Sequence, residues 1–191
     1  MKKITSLLLA LVLVLSMSIP AFAAEVATDA DDMATIVVDM NNIDVTQPYE
    51  ITKEFVNDRG ETVTLRAVYT PAEPTAAPMW SHSYEATVGT WTSYFDGSII
   101  DGMSYQYDVS RSGTHWKISN ARNHVAYCIL STIRDKSLTI NRAVSTSTYP
   151  AEVMGMCTVE VIDTPIGNLM TVDAWIKTTI SDSGVLTVSG N

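Results

Sequence analysis

Residues 61–67, Glu-Thr-Val-Thr-Leu-Arg-Ala, alternate between apolar and polar side chains. This period of two places Val63, Leu65 and Ala67 on one face and the polar side chains on the other, as in a half-buried β-strand. A polar segment that ends in Gly60 separates this stretch from residues 49–56. The two stretches therefore predict a β-hairpin with glycine in its turn.

The same period recurs through the rest of the chain, in residues 104–109, 153–161, 170–180 and 185–189. Threonine is frequent in these segments, as expected for β-branched side chains on a pleated surface. Residues 125–133 are apolar on both faces and fit either a buried strand or a short helix. We predict an all-β fold of about nine to ten strands, arranged as a single antiparallel β-sandwich or an open barrel.

The first 23 residues have the features of a bacterial export signal. Lys2 and Lys3 give a basic start, an unbroken apolar run covers residues 7–15, and residues 21–23 (Ala-Phe-Ala) match the small-x-small pattern of a signal peptidase site. The apolar run is shorter than the roughly 20 residues of a membrane-spanning helix. We therefore expect cleavage of a signal peptide, residues 1–23, near Ala23 and secretion of the remaining chain.

The remaining chain is expected to fold as one domain. Residues 24–34 are expected to form a flexible acidic lead-in, and residues 35–191 a single β-sandwich domain. A Pro/Ala-rich stretch at 70–78 is best explained as a long loop inside that domain. The sequence has neither a cysteine near the end of the signal nor a second long apolar run, so we expect no membrane anchor in the mature chain.

Composition argues against several classes of partner. The formal net charge is −9 and becomes more negative once the two signal-peptide lysines are removed. Nucleic acids and anionic membranes are bound through basic patches, so neither is an expected partner. The three histidines lack metal-binding spacing, and the chain contains neither a Gly-rich phosphate loop nor a Gly-x-Ser-x-Gly nucleophile motif. We predict no metal, no cofactor and no catalytic residue.

Cys128 and Cys157 are the only cysteines. An oxidising extracellular compartment would allow them to form a disulfide. Each also lies in an apolar, strand-like segment, where a cysteine can serve as a small buried hydrophobic side chain. The sequence leaves both alternatives open.

Aromatic residues concentrate in the middle of the chain. Trp80, His82 and Tyr84 alternate with polar side chains, and Trp91 follows closely. Exposed aromatic rings can stack on sugar rings, so we take these four residues, termed the aromatic surface, as the candidate ligand-binding site. The alternative is that the aromatic residues fill the core, as large rings do in most domains. Burial is favoured for three that share faces with aliphatic residues: Tyr105, Tyr107 and Trp116.

Several short motifs follow one another in a fixed order. They are Phe-Val-Asn-Asp-Arg-Gly-Glu-Thr-Val-Thr at 55–64, Gly-Thr-Trp at 89–91, Tyr-Asp-Val-Ser at 107–110, Lys-Ile-Ser-Asn-Ala at 117–121 and Ser-Gly-Val-Leu-Thr-Val at 183–188. Over about residues 47–189, this order resembles a group of small secreted proteins of unknown function from Gram-positive bacteria. The resemblance implies a compact β-sandwich and assigns no activity and no site residue.

These observations favour a secreted, non-enzymatic module that binds an extracellular glycan or protein through the aromatic surface. One alternative is a secreted hydrolase acting on cell-wall or host polymers with a pair of acids. The candidate acids for it are Glu85, Asp96, Asp101 and Asp108. A further alternative is a structural or matrix protein that associates with itself through its edge strands.

Overall fold

The computed structural model describes residues 34–56, 60–72, 87–97, 100–129, 131–163 and 168–191. These residues belong to one compact unit, 31–191. Several sequence-based predictions lie outside the described residues. They are the signal peptide 1–23, residues 24–33 of the lead-in, residues 73–78 of the Pro/Ala-rich loop, and the side chains of Trp80, His82, Tyr84 and Glu85.

The described residues form ten β-strands. No helix among them has the length and hydrophobicity needed to cross a bilayer. The strands are β1 Ala34–Asp39, β2 Tyr49–Val56, β3 Thr62–Pro71, β4 Thr87–Asp96, β5 Gly102–Ser112, β6 His115–Tyr127, β7 Thr132–Arg142, β8 Ala151–Asp163, β9 Asn168–Ile180 and β10 Val185–Gly190.

The ten strands form two antiparallel five-stranded sheets that pack face to face. The first sheet has the order β1-β10-β9-β8-β7, and the second has the order β2-β3-β4-β5-β6. The sheets remain separate and do not close into a barrel, so the β-sandwich alternative is confirmed. The ambiguous segment at 125–133 ends β6 and begins β7, where the chain passes from the second sheet to the first.

The hairpin predicted around residues 49–67 is present as β2 and β3. Phe55 pairs with Val63 next to the turn, and Gly60 has a φ of 77°, which favours glycine. The apolar face of residues 61–67 is buried in the core, while the polar side chains point outward. The predicted core aromatics Tyr105, Tyr107 and Trp116 are buried as well.

A chain of hydroxyl groups joins the two sheets inside the otherwise apolar core. The Tyr105 hydroxyl lies 2.8 Å from the Thr178 hydroxyl, which lies 3.1 Å from the hydroxyl of Ser93. Ser93 in turn lies 3.3 Å from the hydroxyl of Tyr107, and all four side chains are fully buried. Burial raises the pKa of both tyrosines well above the ordinary value, so they remain neutral donors. Thr178 therefore links the sheets rather than interrupting the apolar face of β9.

One side of the sandwich is closed by the segment that follows β7. The Ile118 amide donates to the Ala143 carbonyl at 2.8 Å, and the Ser145 amide donates to the Trp116 carbonyl at 2.8 Å. This short antiparallel pairing holds the start of the β7–β8 connection against β6. Several connections lie at this end of the sandwich, termed the loop end: residues 40–48, 113–114, 143–150 and 181–184.

Candidate functional site

Trp91 is the one residue of the aromatic surface that the structure describes, and it lies in the core. Its side chain is 0% exposed, and its ring centroid lies 5.3 Å from that of Tyr69 and 6.3 Å from that of Tyr49. In this position Trp91 presents no face to a ligand, because its surroundings are protein on all sides. For the other three residues, the aromatic surface stays a prediction.

The two cysteines are thiols in the structure. Burial raises the pKa of Cys157 to about 11, with the nearby Cys128 adding to the rise, and burial also raises the pKa of Cys128. A thiol with a raised pKa is a weak nucleophile, since the thiolate is the reactive form. These pKa shifts fit small buried side chains, and disulfide formation stays a prediction.

The structure describes three of the candidate acids, Asp96, Asp101 and Asp108, and none of them lines the pocket at the loop end. Asp108 accepts hydrogen bonds from Arg122 at 2.9 Å, Asn120 at 2.7 Å and Thr90 at 2.7 Å. Burial alone would raise the pKa of Asp108, but these hydrogen bonds outweigh it and hold the pKa below the ordinary value. Asp108 is therefore an ionised, fully engaged group and a poor proton donor.

Asp96 and Asp101 flank the connection between β4 and β5, away from the loop end. Burial raises the pKa of Asp96, an effect opposed by Arg66, while Asp101 accepts a hydrogen bond from the Ile129 amide.

Within the described stretches, no three His, Cys, Asp or Glu side chains converge to hold a metal ion.

A pocket of about 460 Å³ opens at the loop end, between the β7–β8 connection and the β9–β10 turn. This volume falls in the range of small-molecule binding sites. Its lining is rich in hydroxyl groups and includes one aromatic ring and one carboxylate. The lining residues are Thr146, Ser147, Thr148, Tyr149, Pro150, Ser181, Asp182 and Ser183.

Asp182 supplies the carboxylate of the pocket. Its Oδ1 accepts hydrogen bonds from His115 Nδ1 at 2.6 Å and from the Ser145 hydroxyl at 2.9 Å. The hydrogen bond from His115, followed by that from Ser145, lowers the pKa of Asp182, so the group is ionised at neutral pH. The described residues donate no hydrogen bond to Oδ2, and the side chain is 30% exposed. Asp182 is thus fixed through one oxygen and has the other available.

Ser145 connects this carboxylate to the sheet. The fully buried Ser145 hydroxyl accepts a hydrogen bond from the Trp116 amide at 2.9 Å while donating to Asp182. The Arg111 guanidinium stacks on the Trp116 ring at 3.8 Å. The start of β6, the β7–β8 connection and the β9–β10 turn are therefore joined by one hydrogen-bonded unit, termed the clamp: His115, Ser145 and Asp182.

Tyr149 supplies the aromatic ring, and the residue is 58% exposed. Its backbone closes a tight turn, because the Thr146 amide donates to the Tyr149 carbonyl at 2.8 Å and the Tyr149 amide donates to the Thr146 hydroxyl at 3.0 Å. The Arg142 guanidinium lies 4.9 Å from the ring centroid and donates to the Pro150 carbonyl at 2.9 Å. The ring is thus supported by its neighbours and still open to solvent.

The β9–β10 turn has its own constraints. The Ser181 hydroxyl lies 2.8 Å from that of Ser183 and accepts from the Val185 amide at 3.0 Å. Gly184 has a φ of 89°, and a Cβ there would lie 2.7 Å from Asn41 Nδ2. Only glycine fits this backbone without strain and crowding, so the turn that carries Asp182 has a defined shape.

Comparison with protein-family models, with curated proteins and with solved structures finds no match for this chain. The interpretation of the site therefore depends on its geometry. Sequence reasoning did not single out the site residues His115, Ser145, Tyr149 and Asp182. Their only local signal is that they lie in hydroxyl-rich turn segments, which are typical of turns in general.

Proposed function

We propose that this protein is a secreted, non-enzymatic module that binds an extracellular ligand at the loop-end pocket. The observation that carries the proposal is the presence, in one pocket, of an exposed ring, Tyr149, and an ionised carboxylate, Asp182. The carboxylate is held by hydrogen bonds, and the ring lies against the Arg142 guanidinium. Loops on a rigid scaffold are a common location for binding residues. The export signal in residues 1–23 supports an extracellular ligand.

The arrangement of the clamp favours binding over hydrolysis. His115 uses Nδ1 to bond Asp182, and no described side chain bonds its Nε2. The Ser145 hydroxyl donates to the carboxylate rather than to the imidazole, so Ser145 is not a nucleophile activated by His115. Among the described residues that line the pocket, Asp182 is the one carboxylate, whereas glycoside hydrolysis requires two acids across the bond.

Two of the four edge strands, β6 and β7, argue against self-association through the sheets, whereas β1 and β2 pair in unbroken register. β7 has a register shift around Asp135, whose φ is 46°, and β6 has shifts around Asn120 and Asn123, whose φ values are 50° and 55°. Bulges of this kind bend an edge strand and disfavour pairing with another chain.

Secretion and binding can be tested on the same full-length chain, expressed in a Gram-positive host. The secreted product is expected to begin at Ala24. When the ¹⁵N-labelled product is titrated with cell-wall fragments and with extracellular matrix material, amide shifts are expected in residues 145–149 and 181–184. Failure of export, or shifts confined to the other end of the sandwich, would contradict the proposal.

A matched pair of variants tests the site itself. Tyr149→Ala should abolish the shifts, because it removes the ring from the pocket. Tyr127→Ala should keep them, because Tyr127 is similarly exposed, at 53%, but lies at the far end of β6. Equal binding by both variants would place the ligand elsewhere.

A further inference from the structure

We infer that the loop-end pocket takes an uncharged sugar ring, which stacks on Tyr149 and donates a hydroxyl to Asp182 Oδ2. This inference rests on the proposed function and assigns a ligand class to the same pocket. Three properties of the pocket carry it: the aromatic ring, the open acceptor and the balance of charges.

The ring of Tyr149 offers a preorganised apolar surface. The turn at 146–149 is closed by one backbone hydrogen bond and by one from the Tyr149 amide to the Thr146 hydroxyl, and Arg142 lies against the ring. Because the ring is already ordered, little conformational entropy is lost when a flat ligand covers it. The C–H face of a pyranose is such a ligand, and it needs hydroxyl partners around its rim.

The rim supplies those partners. Asp182 has both of its hydrogen bonds on Oδ1, which leaves Oδ2 as an open, ionised acceptor. A hydrogen bond from a sugar hydroxyl to a carboxylate is stronger than one between neutral groups. Ser147 and Thr148 line the same pocket, and a hydroxyl can both donate and accept. Such a lining matches a ligand that carries several hydroxyls.

The charges around the pocket favour an uncharged ligand. An anionic sugar would meet the ionised Asp182 on a chain with a formal net charge of −9. An ammonium group would be attracted by the ionised Asp182 but repelled by Arg111, whose charge acts on that carboxylate, and by Arg142 beside the ring. Charges of both signs therefore lie at the pocket, and neither a cationic nor an anionic ligand meets a single complementary charge.

Calorimetric titration of the mature protein can test the ligand class. The probes are neutral tetrasaccharides of glucose, mannose and N-acetylglucosamine, the anionic tetramer of galacturonic acid and the cationic tetramer of glucosamine. At least one neutral tetramer is expected to bind. Tyr149→Ala should weaken its binding by about tenfold or more, whereas Tyr149→Phe should change it by about twofold or less, because the ring remains.

Two further variants complete the design. Asp182→Asn should also weaken binding by about tenfold, because the acceptor loses its charge. Tyr127→Ala should leave binding unchanged. Since Tyr149 is exposed, its variants should keep the unfolding midpoint of the parent chain. A loss of sugar binding in Tyr149→Ala then reports the loss of the ring and not a loss of folding.

The outcomes separate this inference from the proposed function. Tyr149-dependent binding of a charged tetramer or a protein fraction alone would overturn the sugar assignment and leave the binding module standing. Neutral-sugar binding that is insensitive to Tyr149→Ala would overturn the placement of the sugar in the pocket. If no probe or extracellular fraction shifts the pocket residues, both proposals fail.

Discussion

Replacing Thr178 by valine should destabilise the protein strongly for so small a change. Valine keeps the branched shape of threonine but removes the hydroxyl that lies 2.8 Å from Tyr105 and 3.1 Å from Ser93. Ser93 retains Tyr107 at 3.3 Å, while Tyr105 retains only backbone acceptors at 3.4 and 3.5 Å. Each fully buried polar group left without a good partner costs about 1–3 kcal/mol.

Because Ser93 keeps a partner and only Tyr105 loses its good one, we expect the free energy of unfolding to fall by about 1–3 kcal/mol. In a domain of this size, that loss lowers the unfolding midpoint by about 2–12 °C. Urea unfolding followed by tryptophan fluorescence gives the free energy, and a thermal melt gives the midpoint. The urea m-value should not change, since the fold and its buried surface are retained.

The matched control is Thr179→Val, the next residue of β9, which points to the outer face and is half-buried. It should change stability by about 0.5 kcal/mol or less. The double variant Tyr105→Phe/Thr178→Val should cost less than the sum of the single variants, because both remove the same hydrogen bond. If Thr178→Val is as mild as Thr179→Val, the inter-sheet hydroxyls do not stabilise the sandwich.

Three other predictions concern charge, backbone and redox state. Burial alone would raise the pKa of Asp108, but its hydrogen bonds lower it on balance. The free energy of unfolding should therefore fall as the pH drops below about 4. In urea titrations at several pH values, Asp108→Asn should flatten that dependence. Gly184→Ala should lower the free energy of unfolding by about 1 kcal/mol more than Gly113→Ala. Both positions have a positive φ, but only at position 184 would the added Cβ contact neighbouring atoms. Equal losses of stability would refute this crowding. If Cys128 and Cys157 form a disulfide in the secreted chain, neither should be alkylated in denaturant without reductant. Mass spectrometry measures the alkylation, and labelling of both cysteines would overturn the disulfide prediction.

The partition of side chains between core and solvent could be predicted because it is a local property. Alternation in residues 61–67 specifies which face of the strand is apolar, whatever the strand pairs with. The same reasoning holds for Tyr105 and Tyr107, which are buried as their alternation indicated. It fails for Thr178, which looks like a break in an apolar face. Its burial depends on hydroxyl partners that come from the other sheet.

The candidate site could not be predicted, because its residues come together only through topology. His115 begins β6, Ser145 follows β7, and Asp182 lies between β9 and β10. Nothing in the spacing of these residues indicates contact, since each is adjacent in sequence to turn residues that also occur in any β-protein. The long-range pairing of residue 145 with Trp116 is what brings them together, and strand order cannot be deduced from alternation.

The same hydrogen bonds close the sandwich and shape the pocket. Pairing of Ser145 with Trp116 covers part of the β6 edge, a place where an open strand would invite association with other chains. That pairing also places the Ser145 hydroxyl where it can donate to Asp182, which orients the carboxylate and leaves Oδ2 open. A loop needed to protect the edge thus becomes rigid enough to present Tyr149. Protection of the edge and preorganisation of the site therefore share one short segment, residues 143–150, which the clamp joins to His115 and Asp182.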